Sequence, residues 1–311
     1  MSLPSVAFGK TGAKVTRLGF GAMELTEWVG AAHYGTVARL LNAVLDSGIN
    51  FIDTAPDYAG SEELIGEHLA KRREEYFLAS KCGCLVDREP GLRDGKLEHD
   101  FSGPNVRAGV EQSLRRLRTD YLDLVQVHSS PAAHVIEAAG TVEEMIRLRE
   151  EGKVRFLGMS STHPELEGHI DMGVFDAFQI PYSALQPEHE GAIRRAASTG
   201  AGTIIRGSVA RGAPAPDHDE GAKHAYWHEF VKARRDLWSR AELDALLIEA
   251  GEISRMEFML RFALAHSDLH TTIVGTAKVE HLHANVAAAA KGPLPTDIVR
   301  EVKRRVAAAV A

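Results

Sequence analysis

Gly48-Ile-Asn-Phe-Ile-Asp-Thr-Ala-Pro-Asp-Tyr58 decides how the chain folds, because its apolar run, Phe51 and Ile52, ends in an acid just where Thr54 to Pro56 break a strand. Asp53 therefore stands where a loop leaves a strand, and Tyr58 follows shortly after it. A buried acid at such a place requires a partner. The competing reading is an ordinary turn-capping aspartate beside a tyrosine packed on its loop, and the rest of the chain has to decide.

Working outward, apolar residues at helical spacing (Val37, Leu40, Leu41, Val44, Leu45) precede the stretch, and Gly48 stops that helix. Before it, Val15 to Gly21 reads as one strand after a turn-rich lead, Phe8 to Gly12. After it, Ser61 to Leu69 reads as a helix with Ser61 as cap and acids in its first turn, and Tyr76 to Lys81 as the next strand. A long glycine-rich and charged loop, 82–102, leads to a helix over 105–118 and a strand, Tyr121 to His128. The alternation continues through strands ending near Ser161, Tyr182, Arg206 and Val274, interrupted by a polar insert over 212–235. A further amphipathic helix is expected from Thr296 to Val310.

Eight strands separated mostly by helices predict a closed parallel (β/α)8 TIM barrel with long βα-loops and an extra C-terminal helix, all in a single domain over 1–311. A doubly wound open sheet competes, but no strand-linked GxGxxG is present, whereas polar residues recur at strand ends. In a barrel those ends converge. Asp53, Lys81, His128, Ser160, Gln179 and Arg206 each fall at or beside a different one.

Composition excludes other classes. A net charge of -7 with both signs interspersed argues against a nucleic acid or an anionic membrane as partner. The first twelve residues carry no apolar leader and no run reaches about 18 apolar residues, so a cytoplasmic protein is expected. Cys82 and Cys84 are too close for an unstrained disulfide and read as reduced thiols.

Tyrosine, lysine, aspartate and histidine together make a proton-transfer device. A free phenol titrates near ~10, and an ammonium held by an aspartate favours the phenolate, so Asp53 and Lys81 are expected to lower the pKa of Tyr58. His128 is placed to hydrogen-bond a substrate carbonyl. The set suits a reaction in which oxygen gains a proton while carbon gains a hydride.

These stretches resemble the aldo-keto reductase superfamily along nearly the whole chain. GINFIDTAPDYAGSEELIGEHL and DFSGPNVRAGVEQSLRRLRTDYLDLVQVH are similar to its two signatures, LASKCG carries its lysine, and EEGKVRFLGMSS is similar to its nicotinamide-binding strand. The resemblance implies that Asp53, Tyr58, Lys81 and His128 are catalytic. It also implies that Ser160, Ser161 and Gln179 bind the nicotinamide carboxamide, and that Gly275 to Asn285 hold the adenosine and its phosphate, Asn285 at the adenine. Within that segment Gly275, Thr276, Lys278 and His281 are the candidate phosphate contacts. Arg206 stands where the family has an aromatic residue on the nicotinamide; its flat guanidinium can stack there or pair with an anion.

NADP(H) is expected ahead of NAD(H), as in most of the family, although Gly275 and His281 replace frequent cations and leave Lys278 as the nearby one. The expected partner is a small aldehyde, ketone, sugar or alcohol, with no nucleic acid, no membrane and no readable oligomeric state. Within the same fold, the alternatives are an NAD-dependent sugar or alcohol dehydrogenase and a cofactor-sensing regulatory subunit with little turnover. Outside it stands an isomerase or lyase working without nicotinamide. Trp28 and Trp227, on loops over the same mouth, are candidate substrate contacts that interloop packing explains almost as well. His218, His224 and His228 invite a metal reading, but with Asp217, Asp219 and Glu220 alongside a solvated loop or lid is the better one, so no metal is expected.

Overall fold

The computed structural model describes residues 3–28, 34–86, 92–93, 96–215 and 225–310. Eight parallel strands close into a barrel in sequential order: β1 (Leu18–Gly21), β2 (Phe51–Asp53), β3 (Phe77–Cys82), β4 (Leu122–Val127), β5 (Val154–Ser160), β6 (Ala177–Pro181), β7 (Gly202–Arg206) and β8 (Thr271–Val274). The strands read as continuous apolar runs because they are buried on both faces; every residue of β2, β3, β4 and β6 is buried. The helix Tyr34–Asp46 turns Val37, Leu40, Leu41 and Val44 inward, and Gly48 follows in the left-handed region at φ 84°.

Two apolar layers hold the barrel. One fills the space between strands and helices. The other fills the barrel itself, where Phe51 and Phe77 stack at 5.2 Å and Phe8 meets both edge-on, at 5.9 and 5.4 Å. Phe8 comes from a hairpin that plugs the bottom, which corrects the reading of Val15 to Gly21 as one strand. Lys14–Thr16 pairs antiparallel with Ser5–Ala7, and the barrel strand begins only at Leu18. The break sits at Arg17, whose backbone N–H is held by Pro4 O at 2.8 Å while its guanidinium donates to His266 O and Leu269 O.

Three further readings change. Ser61 is not the cap of the helix Ser61–Leu69: Gly60, at φ 71°, occupies that place, and the Ser61 hydroxyl donates instead to Ala22 O at 3.1 Å and lies 2.9 Å from Thr54 Oγ1. That ties the loop after β2 to the one after β1. Part of the polar insert is helical, since Ala225–Arg240 forms a helix with buried Trp238 near its end. A short helix, Ala133–Ala138, also precedes Thr141–Glu150. The C-terminal helix spans Thr296–Val310 as expected.

Candidate active site

At the C-terminal mouth the β-register places polar side chains on neighbouring strands: Asp53 lies beside Ala79, Lys81 beside Gln126, and Gln179 beside Ser160. Asp53 is 1% exposed and fully engaged. Its Oδ2 accepts from Lys81 Nζ at 2.7 Å, and its Oδ1 accepts from Gln126 Nε2 at 2.9 Å and Gln179 Nε2 at 2.8 Å. Lys81 also donates to Thr54 O at 2.9 Å. Burial disfavours its ammonium, but Asp53 and Tyr58 more than offset this and hold its pKa above the ordinary lysine value.

Two turns set Tyr58 over this pair, its N–H donating to Ala55 O at 3.0 Å and its carbonyl accepting from Ser61 N at 2.8 Å. The Lys81 Nζ lies 4.9 Å from the centre of the Tyr58 ring. Contrary to expectation, the phenol pKa is raised: burial dominates, Lys81 pulls the other way, and Asp53 works with burial. The aspartate that charges the lysine also repels a phenolate. Burial thus favours the protonated phenol of Tyr58.

His128 follows β4, its N–H donating to Cys82 O at 3.1 Å, and its ring centre is 6.1 Å from that of Tyr58. Burial lowers its pKa to about 4 against the opposing pull of Asp57, so the imidazole is neutral at neutral pH. Sequence reasoning missed the three groups behind it. Its Nδ1 lies 3.3 Å from Asp57 Oδ2, 3.3 Å from Cys84 Sγ and 3.4 Å from His99 Nε2, and His99 Nε2 lies 3.1 Å from Asp57 Oδ2. Burial raises the Asp57 pKa, but the contacts with His128 and His99 outweigh it and hold the carboxyl well below its ordinary range. No spacing motif announces this group, because its members come from three strand ends and one long loop.

The cofactor candidates divide. Ser160 and Gln179 are buried at the mouth, the Ser160 hydroxyl facing Gln179 Oε1 at 3.5 Å. Ser161 is turned elsewhere, its Oγ 2.8 Å from His169 Nδ1 and 3.2 Å from Ser130 Oγ. Arg206 ends β7 and its charge acts on both Tyr58 and His189. Gly275 runs against β1, where a side chain would come within 2.8 Å of Gly21 O. Thr276 Oγ1 accepts from Lys278 N at 3.1 Å, and Lys278 precedes the helix Val279–Ala290, on which His281 is exposed and Asn285 half-buried. The side chains of Trp28 and Trp227, together with His218 and His224, lie outside the described residues; His228 is in the helix Ala225–Arg240.

A model of the aldo/keto reductase family matches residues 17–306. The chain is similar to L-galactose dehydrogenase of Arabidopsis thaliana, 26% identical over 91% of this chain and 86% of that protein. It is also similar to the NADH-specific methylglyoxal reductase of Escherichia coli (strain K12), 30% identical over 59% of this chain and 60% of that protein. Among solved structures, the glycerol dehydrogenase AKR11B4 from Gluconobacter oxydans superposes with a TM-score of 0.82 at 26% identity, covering 100% of this chain and 97% of that one. The chain belongs to the aldo/keto reductase family and is an NAD(P)-dependent oxidoreductase acting on carbonyl and alcohol substrates.

Proposed function

We propose that the chain reduces a small carbonyl compound with NADP(H), Tyr58 giving the proton to the carbonyl oxygen and taking it back in the alcohol-oxidising direction. The observation that carries this reading is the buried Lys81–Asp53 pair, closed at 2.7 Å directly beneath the Tyr58 ring. A neutral phenol is the form a reductase needs. As its proton leaves for the substrate oxygen, the Lys81 ammonium stabilises the developing phenolate in a site dry enough to make that attraction strong. His128 donates to the carbonyl from Nε2 and orients it in the tautomer whose Nδ1 carries no proton and accepts from the Cys84 thiol at 3.3 Å or from His99 Nε2 at 3.4 Å.

When bound, the nicotinamide supplies the hydride. What supports its place is a set of polar groups around one mouth: Ser160 and Gln179 with amide-matching chemistry, and Ser208 Oγ beyond β7, buried and without a hydrogen-bond partner among the described residues. The start of the helix Val279–Ala290 has backbone N–H groups free of intrahelical acceptors and suits a phosphate. Lys278 at that start is the residue we assign to the 2′-phosphate of NADP(H); Arg206 is assigned to the nicotinamide or to an anionic group on the substrate. Ser161 is assigned to holding the loop through His169 rather than to the carboxamide.

Tyr58→Phe tests the assignment. The variant is expected to lose turnover by about a thousandfold, within the range that general acid–base groups contribute, while quenching its tryptophan fluorescence with NADPH as the parent does. Full turnover in that variant sinks the mechanism. Cofactor binding without any carbonyl reduction in the parent, across aldehydes, ketones and sugars in both directions, points to a sensory subunit instead. Absence of cofactor quenching points to an isomerase or lyase.

A further inference from the structure

We propose that Asp57, Cys84, His99 and His128 form a site for one Zn²⁺ ion, set directly behind the imidazole that faces the substrate. Each offers one ligand atom, and the four atoms lie within 4.8 Å of one another. A thiol, two imidazoles and a carboxylate are the donor set of tetrahedral zinc rather than of calcium or magnesium, which take oxygen. The spacing agrees. With zinc bonds of about 2.0–2.1 Å to nitrogen or oxygen and about 2.3 Å to sulfur, a tetrahedron has edges of about 3.3 Å between the lighter ligands and about 3.6 Å to sulfur. The observed separations from His128 Nδ1 are 3.3 Å to oxygen, 3.3 Å to sulfur and 3.4 Å to His99 Nε2.

The donors are held in place before any ion arrives. Cys84 and His99 face each other across an isolated antiparallel bridge, and Asp100 N donates to Gly83 O at 2.8 Å. Asn105 Nδ2 donates to both Cys84 O and Asp100 O, at 3.0 and 2.7 Å. Phe101 stacks on the His99 ring at 5.8 Å and packs so closely on Gly83 that a side chain there would meet it at 2.5 Å. The site is also dry: the side chains of Asp57 and His99 are 4% exposed and that of His128 14%. A thiolate, a carboxylate and two neutral imidazoles cancel the charge of Zn²⁺, which suits such a place. Binding transfers the Cys84 thiol proton to solvent as the zinc–sulfur bond forms.

An ion on His128 Nδ1 places the remaining ring proton on Nε2, the tautomer that donates to a carbonyl, and fastens the loop after β3 to the mouth. The proposal deepens the reading of His128, but it stands on ligand geometry, and its test reads binding without turnover. The competing arrangement is a metal-free cluster in which Asp57 accepts from both imidazoles.

The full chain, stripped with a chelator and dialysed, is titrated with Zn²⁺ in competition with a chromogenic chelator, and separately with Co²⁺. One equivalent of Zn²⁺ is expected, together with a tetrahedral Co²⁺ spectrum bearing a thiolate charge-transfer band that Cys84→Ser removes. His99→Ala is expected to weaken Zn²⁺ binding about a hundredfold or more, the upper end of what loss of a mere outer-shell partner costs. A His218→Ala/His224→Ala variant should bind as the parent does. Circular dichroism and NADPH quenching confirm folding, and because His99 comes from a loop, His99→Ala decides the matter even if Cys84→Ser does not fold. No ion held against the chelator, no thiolate band in the parent, or unchanged affinity in His99→Ala overturns the site.

Discussion

Gln179 donates to Oδ1 of Asp53 at 2.8 Å from the strand diametrically opposite in the barrel, so one carboxylate spans the mouth between β2 and β6. The residue that resemblance assigns to the cofactor is therefore also a support of the Asp53–Lys81 pair, and its removal is expected to have two separable effects. Gln126→Leu removes a donor from the same oxygen without a cofactor role. Both Gln179→Leu and Gln126→Leu are expected to lower kcat, but only Gln179→Leu should raise the apparent Kd for the cofactor, by about tenfold for the loss of one net hydrogen bond. Equal Kd values in the two variants would remove Gln179 from the carboxamide.

Asp53→Asn leaves the Lys81 ammonium buried with no counter-charge. A stability loss of about 3–5 kcal/mol is expected from urea melts, because the cost of a buried unpaired charge exceeds the worth of the pair. The double variant Asp53→Asn/Lys81→Met should recover most of that stability and none of the turnover. Recovery of both would separate the pair from the chemistry.

Lys278→Ala reports on cofactor choice. Lys278 is exposed at the start of its helix, and His281 is exposed on the helix's first turn. The ratio of NADPH to NADH affinity is expected to fall about tenfold, in keeping with loss of one charge-assisted contact to a phosphate. An unmoved ratio would favour NADH as the natural cofactor and leave the 2′-phosphate without a reader.

Glu62 makes stability depend on pH. It is 1% exposed, burial pushes its carboxyl pKa up, and the hydrogen bond from Ser80 Oγ at 2.7 Å only partly opposes this. A raised folded-state pKa means that the folded chain holds the proton more tightly than the unfolded one. This contribution to stability is fully present below the unfolded carboxylate value of ~4.3 and is lost as pH rises through the folded value. Glu62→Gln should thus gain stability relative to the parent between pH 4 and pH 7, measured by paired thermal melts. A gap that stays constant would show that the carboxyl titrates alike in both states.

The alternation of strand and helix, polar residues at six of the eight strand ends, and the proposed tetrad Asp53, Tyr58, Lys81 and His128 were legible in the sequence. Buried parallel strands must be apolar throughout, so a lysine or an aspartate at the end of one is conspicuous. The break at Arg17 was not legible, because Lys14–Thr16 and Leu18–Gly21 share one apolar pattern and only contacts from Pro4, His266 and Leu269 separate them. The direction of the Tyr58 pKa also escaped, since counting charges favours a phenolate while burial, a property of the closed mouth, favours the phenol. Asp57, Cys84 and His99 carried no local signal at all. Sequence alone determined which chemistries the chain possesses, because residue type and strand periodicity are local. Only the closed barrel decided which groups meet, because the barrel circumference brings opposite strands and a distant loop within bonding distance.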